Sequence, residues 1–192
     1  MFAHLTSLEK LVSYSRVLVD HENVGHADEI DNLITMARMH QISVSVLDSN
    51  SASLISNISV FENLWIQSAW MDGCSPIRLR SILSELLGRV NPELGYCQQS
   101  LACLLNKRPS ELSVDQRCSI VLIRAMLAKP RLVLLKSEWL VSMLVFEQNV
   151  ALLDSMDIFF PRSTVVAFPS PALMNATYFD KWTRLSSITL GH

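Results

Sequence analysis

The spacing of apolar residues along the chain switches between two periods, which predicts alternating strands and helices. Apolar and polar residues alternate through ISVSVLD (residues 42–48), and this alternation predicts a strand that ends at Asp48. In EIDNLITMARMH (residues 29–40) the apolar residues recur every three or four positions, which places them on one face of a helix. Strands that alternate with helices indicate an α/β fold with a parallel sheet.

Four other segments extend this prediction along the chain. SRVLVDHENVG (15–25) is typical of a short strand followed by a turn, and RLSSITLGH (184–192) of a final strand. RLVLL (131–135) and STVVAF (163–168) are short apolar runs, as expected of strands buried on both faces of a parallel sheet. One helix is predicted between them, around VSMLVFEQNVALLDSM (141–156).

The segment from about residue 60 to 110 is predicted to be mostly helical. A helix is expected from about Val60, and CSPIRLRSILSELLGRV (74–90) has one apolar stripe at helical spacing. In that second helix Ser75 suits the cap and Pro76 the first helical position. The sequence therefore predicts a single domain over residues 1–192, with a helical subdomain over residues 60–115 inserted in the sheet.

A further helix start is predicted at Ser113. Ser113 and Gln116 have the spacing of a capping box, in which each residue bonds the backbone amide of the other. Apolar residues continue the helix until Lys129 and Pro130 end it. We expect these residues to serve first of all as a helix cap.

Composition excludes several classes of function. The formal net charge is −2, and the scattered basic residues do not indicate a nucleic-acid-binding protein. The four cysteines, Cys74, Cys97, Cys103 and Cys118, form no C-x-x-C pair, so we expect neither a zinc site nor a disulfide framework. We expect no signal peptide, and no apolar run reaches the roughly 20 residues that a membrane-spanning helix needs.

The segment RPSELSVDQRCSIVLIRAMLAKPRLVLL (108–135) resembles the nucleotide-binding subunits of ABC transporters. That family has a signature loop L-S-G-G-Q, a helix ending in A-R-A-h-h-x-x-P and the apolar Walker B strand. The signature loop aligns with Leu112, Ser113, Val114, Asp115 and Gln116. The resemblance implies a P-loop NTPase-like parallel sheet with an ABC-type helical subdomain.

A second segment, LISNISVFENL (54–64), is similar to the stretch that follows the Q-loop in this family. Its sequence resembles that of the ATPases of lipid-handling, organic-solvent-tolerance importers, and this resemblance implies lipid transport. In the family the groove between the Q-loop and the following helices receives a coupling helix of the membrane subunit, and the matching stretch here is residues 50–70. The resemblance therefore implies that Phe61, Trp65 and Trp70 dock a partner, since aromatic residues are good interface anchors.

The residues that bind phosphate, metal and water in the family are replaced here. No G-x-x-x-x-G-K-[ST] motif occurs in the sequence, so the part that carries Walker A is expected to be missing. Asn50 falls near the Q-loop position, and Pro169 near the switch histidine. The acids that should end Walker B are replaced by Lys136 and Ser137. We expect Lys136 to be solvated or to face a partner.

These replacements predict a catalytically inactive ABC-ATPase-like protein with no catalytic residue, cofactor or metal. Its expected partners are the membrane subunit of an ABC transporter, an active ATPase subunit, or both, with no nucleic acid. We expect it in the cytoplasm, attached to the inner membrane through those partners. Two alternatives remain open: a residual ATP binder or slow ATPase within a heterodimer, and a free-standing scaffold or regulatory protein that reuses the fold.

Overall fold

A parallel β-sheet lies at the centre of the protein. The computed structural model describes residues 3–5, 8–19, 27–49, 54–90, 102–146, 151–174 and 177–188. Within these ranges, six strands pair in parallel in the order β1-β6-β2-β5-β4-β3. They are β1 (Ala3–Leu5), β2 (Arg16–Val19), β3 (Val44–Leu47), β4 (Leu132–Leu135), β5 (Thr164–Ala167) and β6 (Thr183–Ile188). The predicted α/β fold with a parallel sheet is confirmed.

The helices follow the predicted pattern over most of the chain. In the described residues they are α1 (Leu8–Leu11), α2 (Ala27–Met39), α3 (Val60–Asp72), α4 (Pro76–Val90), α5 (Val114–Ala128), α6 (Ser137–Val141), α7 (Ala151–Asp154), α8 (Met156–Phe159) and α9 (Pro171–Met174). Single 3₁₀ turns span Pro109–Glu111 and Thr177–Phe179.

The sheet separates two apolar clusters, and β4 contributes to both. Val133 and Leu135 pack in the cluster that contains the buried side chains of α3, α4 and α5. Leu132 and Leu134 pack on the other face, with the buried side chains of α2. All four residues of β4 are completely buried, as expected for a parallel strand covered by helices on both sides.

The region between β3 and β4 is mostly helical in the residues that the structure describes. From Val60 to Leu112 the described residues form α3, α4, a helical turn at 102–104 and the 3₁₀ turn Pro109–Glu111. Leu64 of α3 and Leu83 of α4 belong to the same buried cluster as Ile120 of α5. The helices thus cover one face of the sheet, and the boundaries of a subdomain at residues 60 and 115 stay a prediction.

Two parts of the chain differ from the sequence-based expectation. Strand β1 and helix α1 lie before the first predicted element, in a segment too short to show periodicity. The helix predicted over residues 141–156 is confirmed in part: every described residue of this range except Ser155 is helical, but they do not form one regular α-helix. Helix α6 ends at Val141 and continues as a π-helical turn, Ser142–Phe146, and the chain later forms two short helices, α7 and α8. The Ser142 hydroxyl donates to the Glu138 carbonyl (3.0 Å), a local bond that is known to bend helices.

Candidate functional site

The carboxyl ends of β3 and β4 bring two opposite charges together. The strands pair with Leu47 opposite Leu135, so that Asp48 and Lys136 leave the sheet side by side. The Lys136 Nζ atom donates to Asp48 Oδ2 at 2.9 Å. The lysine side chain is 32% exposed and the aspartate side chain 26% exposed. The hydrogen bond to Asp48 raises the pKa of Lys136 above its usual value, with the charge of Asp48 adding to the same effect.

Backbone hydrogen bonding also fixes the position of this pair. The Lys136 amide donates to the Leu47 carbonyl (3.0 Å), which extends the β3–β4 ladder by one residue. Helix α6 then begins at Ser137. The sequence predicted that Asp48 and Lys136 each follow a strand, but it did not predict that the two residues form an ion pair. Adjacent parallel strands that each end in a charged residue would have indicated the ion pair. Lys136 is partly exposed and pairs with Asp48 within the chain, and the expectation that it faces a partner stays a prediction.

These residues do not fit a magnesium ion. The Walker B acid in the resembling family supports Mg²⁺, whereas the residue at this position is a lysine whose ammonium group repels a cation and presents no acceptor. The Asp48 carboxylate already binds that ammonium group. In the described ranges, no group of three or more His, Cys, Asp or Glu side chains is arranged to hold a metal.

The LSVDQ segment forms the capped start of α5. The Gln116 amide donates to Ser113 Oγ (3.4 Å), and the Ser113 amide donates to Gln116 Oε1 (3.2 Å). The predicted capping box is therefore confirmed. Leu112 is buried beneath the turn, whereas Val114 projects outward with 47% of its surface exposed. Asp115 lies in the first helical turn, where a negative charge suits the helix dipole.

Two other predicted positions, Ser137 and Pro169, lie at the same edge of the sheet. Ser137 is the half-buried first residue of α6. Pro169 is buried just after β5, where the neighbouring Phe168 amide donates to the Leu135 carbonyl (2.9 Å). A proline at the switch-histidine position offers no proton donor on its side chain. Asn50, the predicted Q-loop position, lies outside the described residues.

The LISNISVFENL segment is held together by its own polar residues. Ser59 and Glu62 form a capping box at the start of α3, which lowers the pKa of Glu62 through hydrogen bonds from the Ser59 hydroxyl and amide. Asn63 is buried and fixes the preceding loop. Its Oδ1 atom accepts from the Ile55 amide (2.6 Å), and its Nδ2 atom donates to the Ile55 carbonyl (3.0 Å). The part of this segment that resembles the family therefore builds the loop and the helix start.

The three aromatic residues predicted to dock a partner differ in exposure. Trp70 is 88% exposed, whereas Phe61 is only 9% exposed. The Arg80 guanidinium lies 4.3 Å from the centre of the Phe61 ring, a cation–π contact. Trp65 is half-buried and donates from Nε1 to the Cys74 carbonyl (3.1 Å). Docking through these residues stays a prediction, and Trp70 is the one that offers a largely open surface.

Comparison with known proteins adds evidence on the fold. No protein-family model and no curated protein matches the sequence. Solved structures do match. An ATP-binding subunit of an ABC transporter is 14% identical with a TM-score of 0.52, covering 81% of this chain and 68% of that one. The protein cbiO1 from Clostridium perfringens, part of the ABC transporter complex cbiONQ, is 13% identical with a TM-score of 0.54 and the same coverage.

A third match is a dimeric ATP-binding cassette in a post-hydrolysis state with ADP and phosphate bound. It is 15% identical with a TM-score of 0.55, covering 83% of this chain and 76% of that one. At these identities the likeness speaks for the fold alone. This chain has the fold of ABC transporter ATP-binding subunits, as the sequence predicted. No described helix is both long enough and apolar enough to cross a membrane.

We predict a small, pH-dependent coupling energy between the side chains of Lys136 and Asp48. A double-mutant cycle of Lys136→Met and Asp48→Asn should give about 0.5–1 kcal/mol at pH 7 by urea unfolding, since the pair is partly exposed. Because the pKa of Lys136 is raised in the folded state, the coupling is fully present below the ordinary lysine value of 10.5 and is lost as the pH rises above it.

A matched cycle of Lys107→Met and Asp48→Asn serves as the control, because Lys107 is exposed and lies in the helical region rather than at the strand ends. Its coupling energy should be close to zero at either pH. A Lys136–Asp48 coupling no larger than this control at pH 7 would show that the pair does not form in solution.

Proposed function

We propose that this chain is an ABC-ATPase-like protein that does not hydrolyse ATP and acts as a subunit or accessory of an ABC transporter. The observation that carries the proposal is the Lys136–Asp48 ion pair at the carboxyl end of the sheet. In open parallel α/β sheets the carboxyl ends of the strands are where ligands bind. Here that edge is neutralised from within the chain.

The size of the expected loss supports a non-hydrolysing protein. Phosphoryl transfer depends on positioned cations, metal-binding acids and a group that orients the attacking nucleophile. Removal of one such electrostatic group typically lowers kcat by about 10²–10³-fold. The acid and base positions of Walker B are Lys136 and Ser137, and the sequence contains no Walker A motif. Several reductions of kcat of this size, taken together, would abolish useful ATP hydrolysis.

The start of α5 supports the same conclusion. The family uses two glycines there so that backbone amides approach a phosphate closely. In this chain Val114, the first residue of α5, projects a branched side chain from the surface, and the Gln116 amide is already bonded to Ser113. The negative charge of Asp115 in the same turn repels a phosphate.

Association with a transporter is the second half of the proposal. The proteins of similar fold include a part of the transporter complex cbiONQ and a dimeric cassette. In this chain the exposed Trp70 lies on α3, in the region that resembles the docking surface of the family. We therefore propose a membrane subunit or an active ATPase as the partner, at the cytoplasmic face of the membrane. The LISNISVFENL resemblance extends this proposal to a lipid transporter.

The first test is nucleotide binding. Isothermal titration of the purified chain with Mg-ATP should show no binding tighter than about 1 mM, because Lys136 replaces the metal-binding acid at the carboxyl edge and the Gln116 amide is bonded to Ser113. Hydrolysis, followed as phosphate release, should equal the rate without protein.

One control variant and one contradicting outcome complete this test. The Lys136→Met variant should bind no better than the original chain, which separates a missing site from one blocked by the lysine. Micromolar binding of Mg-ATP by the original chain would favour the alternative of a residual ATP binder that works in a heterodimer.

The second test concerns the partner. Affinity purification from native membranes should recover a transporter component, and Trp70→Ala should reduce its recovery by at least about tenfold, as expected when an aromatic anchor is removed from an interface. Met39→Ala is the matched control, because Met39 is also exposed (72%) but lies on α2, on the other face of the sheet.

Equal loss in both variants, or none in either, would contradict docking through Trp70. Recovery of no transporter component by the original chain would contradict the transporter role and favour a free-standing scaffold or regulatory protein.

A further inference from the structure

A cavity lies at the end of the sheet opposite the Lys136–Asp48 pair. It has a volume of about 480 Å³ and opens among α4, the end of α5 and the loops that lead into β4 and β5. A neighbouring cavity of about 620 Å³ continues along α4 and shares Leu86, Arg89, Met126 and Lys129 with it. Each volume falls in the range of about 300–1,000 Å³ that small-molecule sites occupy.

The smaller cavity is lined by cations. Arg89, Lys129, Arg131 and Arg162 contribute to its wall, and none of the described residues that line it is acidic. The described carboxylates form no ion pair with these four side chains. The whole chain has a formal net charge of −2, so this concentration of positive charge is local. Like charges held together in this way attract an anion.

Three of these four cationic residues are positioned by hydrogen bonds or by a helix cap. Lys129 is the left-handed C-cap of α5, with φ 46°. The Arg131 amide donates to the Ser43 carbonyl (3.1 Å), and the Arg131 carbonyl accepts from the Thr164 amide (2.9 Å). Arg89 donates from Nη2 to the Ile158 carbonyl, which ties α4 to α8. The positions therefore depend on the sheet and the helix ends, which are the rigid parts of the fold.

The rest of the wall is apolar. Met126, Phe159 and Phe160 line the cavity and are themselves almost completely buried. Pro130 and Pro161 border it at the entries to the loops. A cavity with an apolar wall and a few convergent polar groups is typical of a site that holds an organic molecule.

We propose that this cavity binds a small, soluble organic phosphate. The arginine side chains would bind the phosphate through paired hydrogen bonds, for which the planar guanidinium group is well suited. The apolar part of the ligand would contact Met126 and the two phenylalanines. The site does not use the residues at the carboxyl ends of the strands. Its apolar wall suits an alkyl phosphate and not the polar ribose and triphosphate of ATP, so the proposal agrees with the expected absence of tight Mg-ATP binding.

Octyl phosphate, kept below its micelle concentration, is a probe that has both features. Isothermal titration should show saturable binding of octyl phosphate at least about tenfold tighter than that of inorganic phosphate. Burial of only a small part of the octyl chain against the apolar wall is enough for about a tenfold gain in affinity. Octanol, which has the chain without the charge, should not bind measurably.

The Arg131→Gln/Arg162→Gln double variant should lose at least about tenfold in affinity for octyl phosphate, since two charge-assisted contacts are removed. Both residues are exposed, so the variant should fold, which a measurement of its unfolding transition checks. The matched control is Arg184→Gln, an exposed arginine on β6, which β2 and β5 separate from β4. Its affinity should stay within about twofold.

Equal affinity of the double variant and the original chain would overturn the proposal, as would equal binding of octyl phosphate and inorganic phosphate. Absence of octyl phosphate binding at millimolar concentration would also overturn it. Binding only to vesicles that contain an anionic phospholipid, with none to monomeric octyl phosphate, would mean that the basic residues face a membrane surface and not a soluble ligand.

Discussion

The burial of β4 on both faces is the constraint on which the arrangement of the chain depends. Its four apolar residues have no exposed surface, so helices must cover the sheet on either side. The strand pairs with β3 and β5, and its two ends therefore define two separate environments. A four-residue parallel strand is on the order of 13 Å long, which keeps those environments apart.

The two ends of β4 differ in how their charges are balanced. At the carboxyl end, where a protein of this fold would meet nucleotide and metal, Lys136 is paired with Asp48 inside the chain. At the amino end, Arg131 belongs to a cluster of cations for which the described residues supply no carboxylate. The charges at the carboxyl end of the sheet are thus neutralised within the chain, whereas the cations at the amino end are available to an anion.

Much of the fold could be predicted because it depends on local patterns. A few neighbouring residues were enough to predict three of its elements. These are the strand in residues 42–48, the strand before Lys136 and the helix that begins after the Ser113 cap. Features that depend on distant residues were not predicted. The Lys136–Asp48 pair needs the order of the strands, and the cationic cavity collects side chains from α4, α5 and two loops. The π-helical turn Ser142–Phe146 was not predicted because its apolar spacing resembles that of an ordinary α-helix.

The central claim is that the carboxyl edge of the sheet is closed by bonds within the chain. A crystal structure grown with Mg-ATP in the millimolar range would test it most directly. We predict that Lys136 Nζ remains at hydrogen-bond distance from Asp48, that the Ser113–Gln116 capping box is retained, and that no nucleotide lies at this edge. A nucleotide bound there, with Asp48 released from Lys136 and turned toward a metal, would contradict the account.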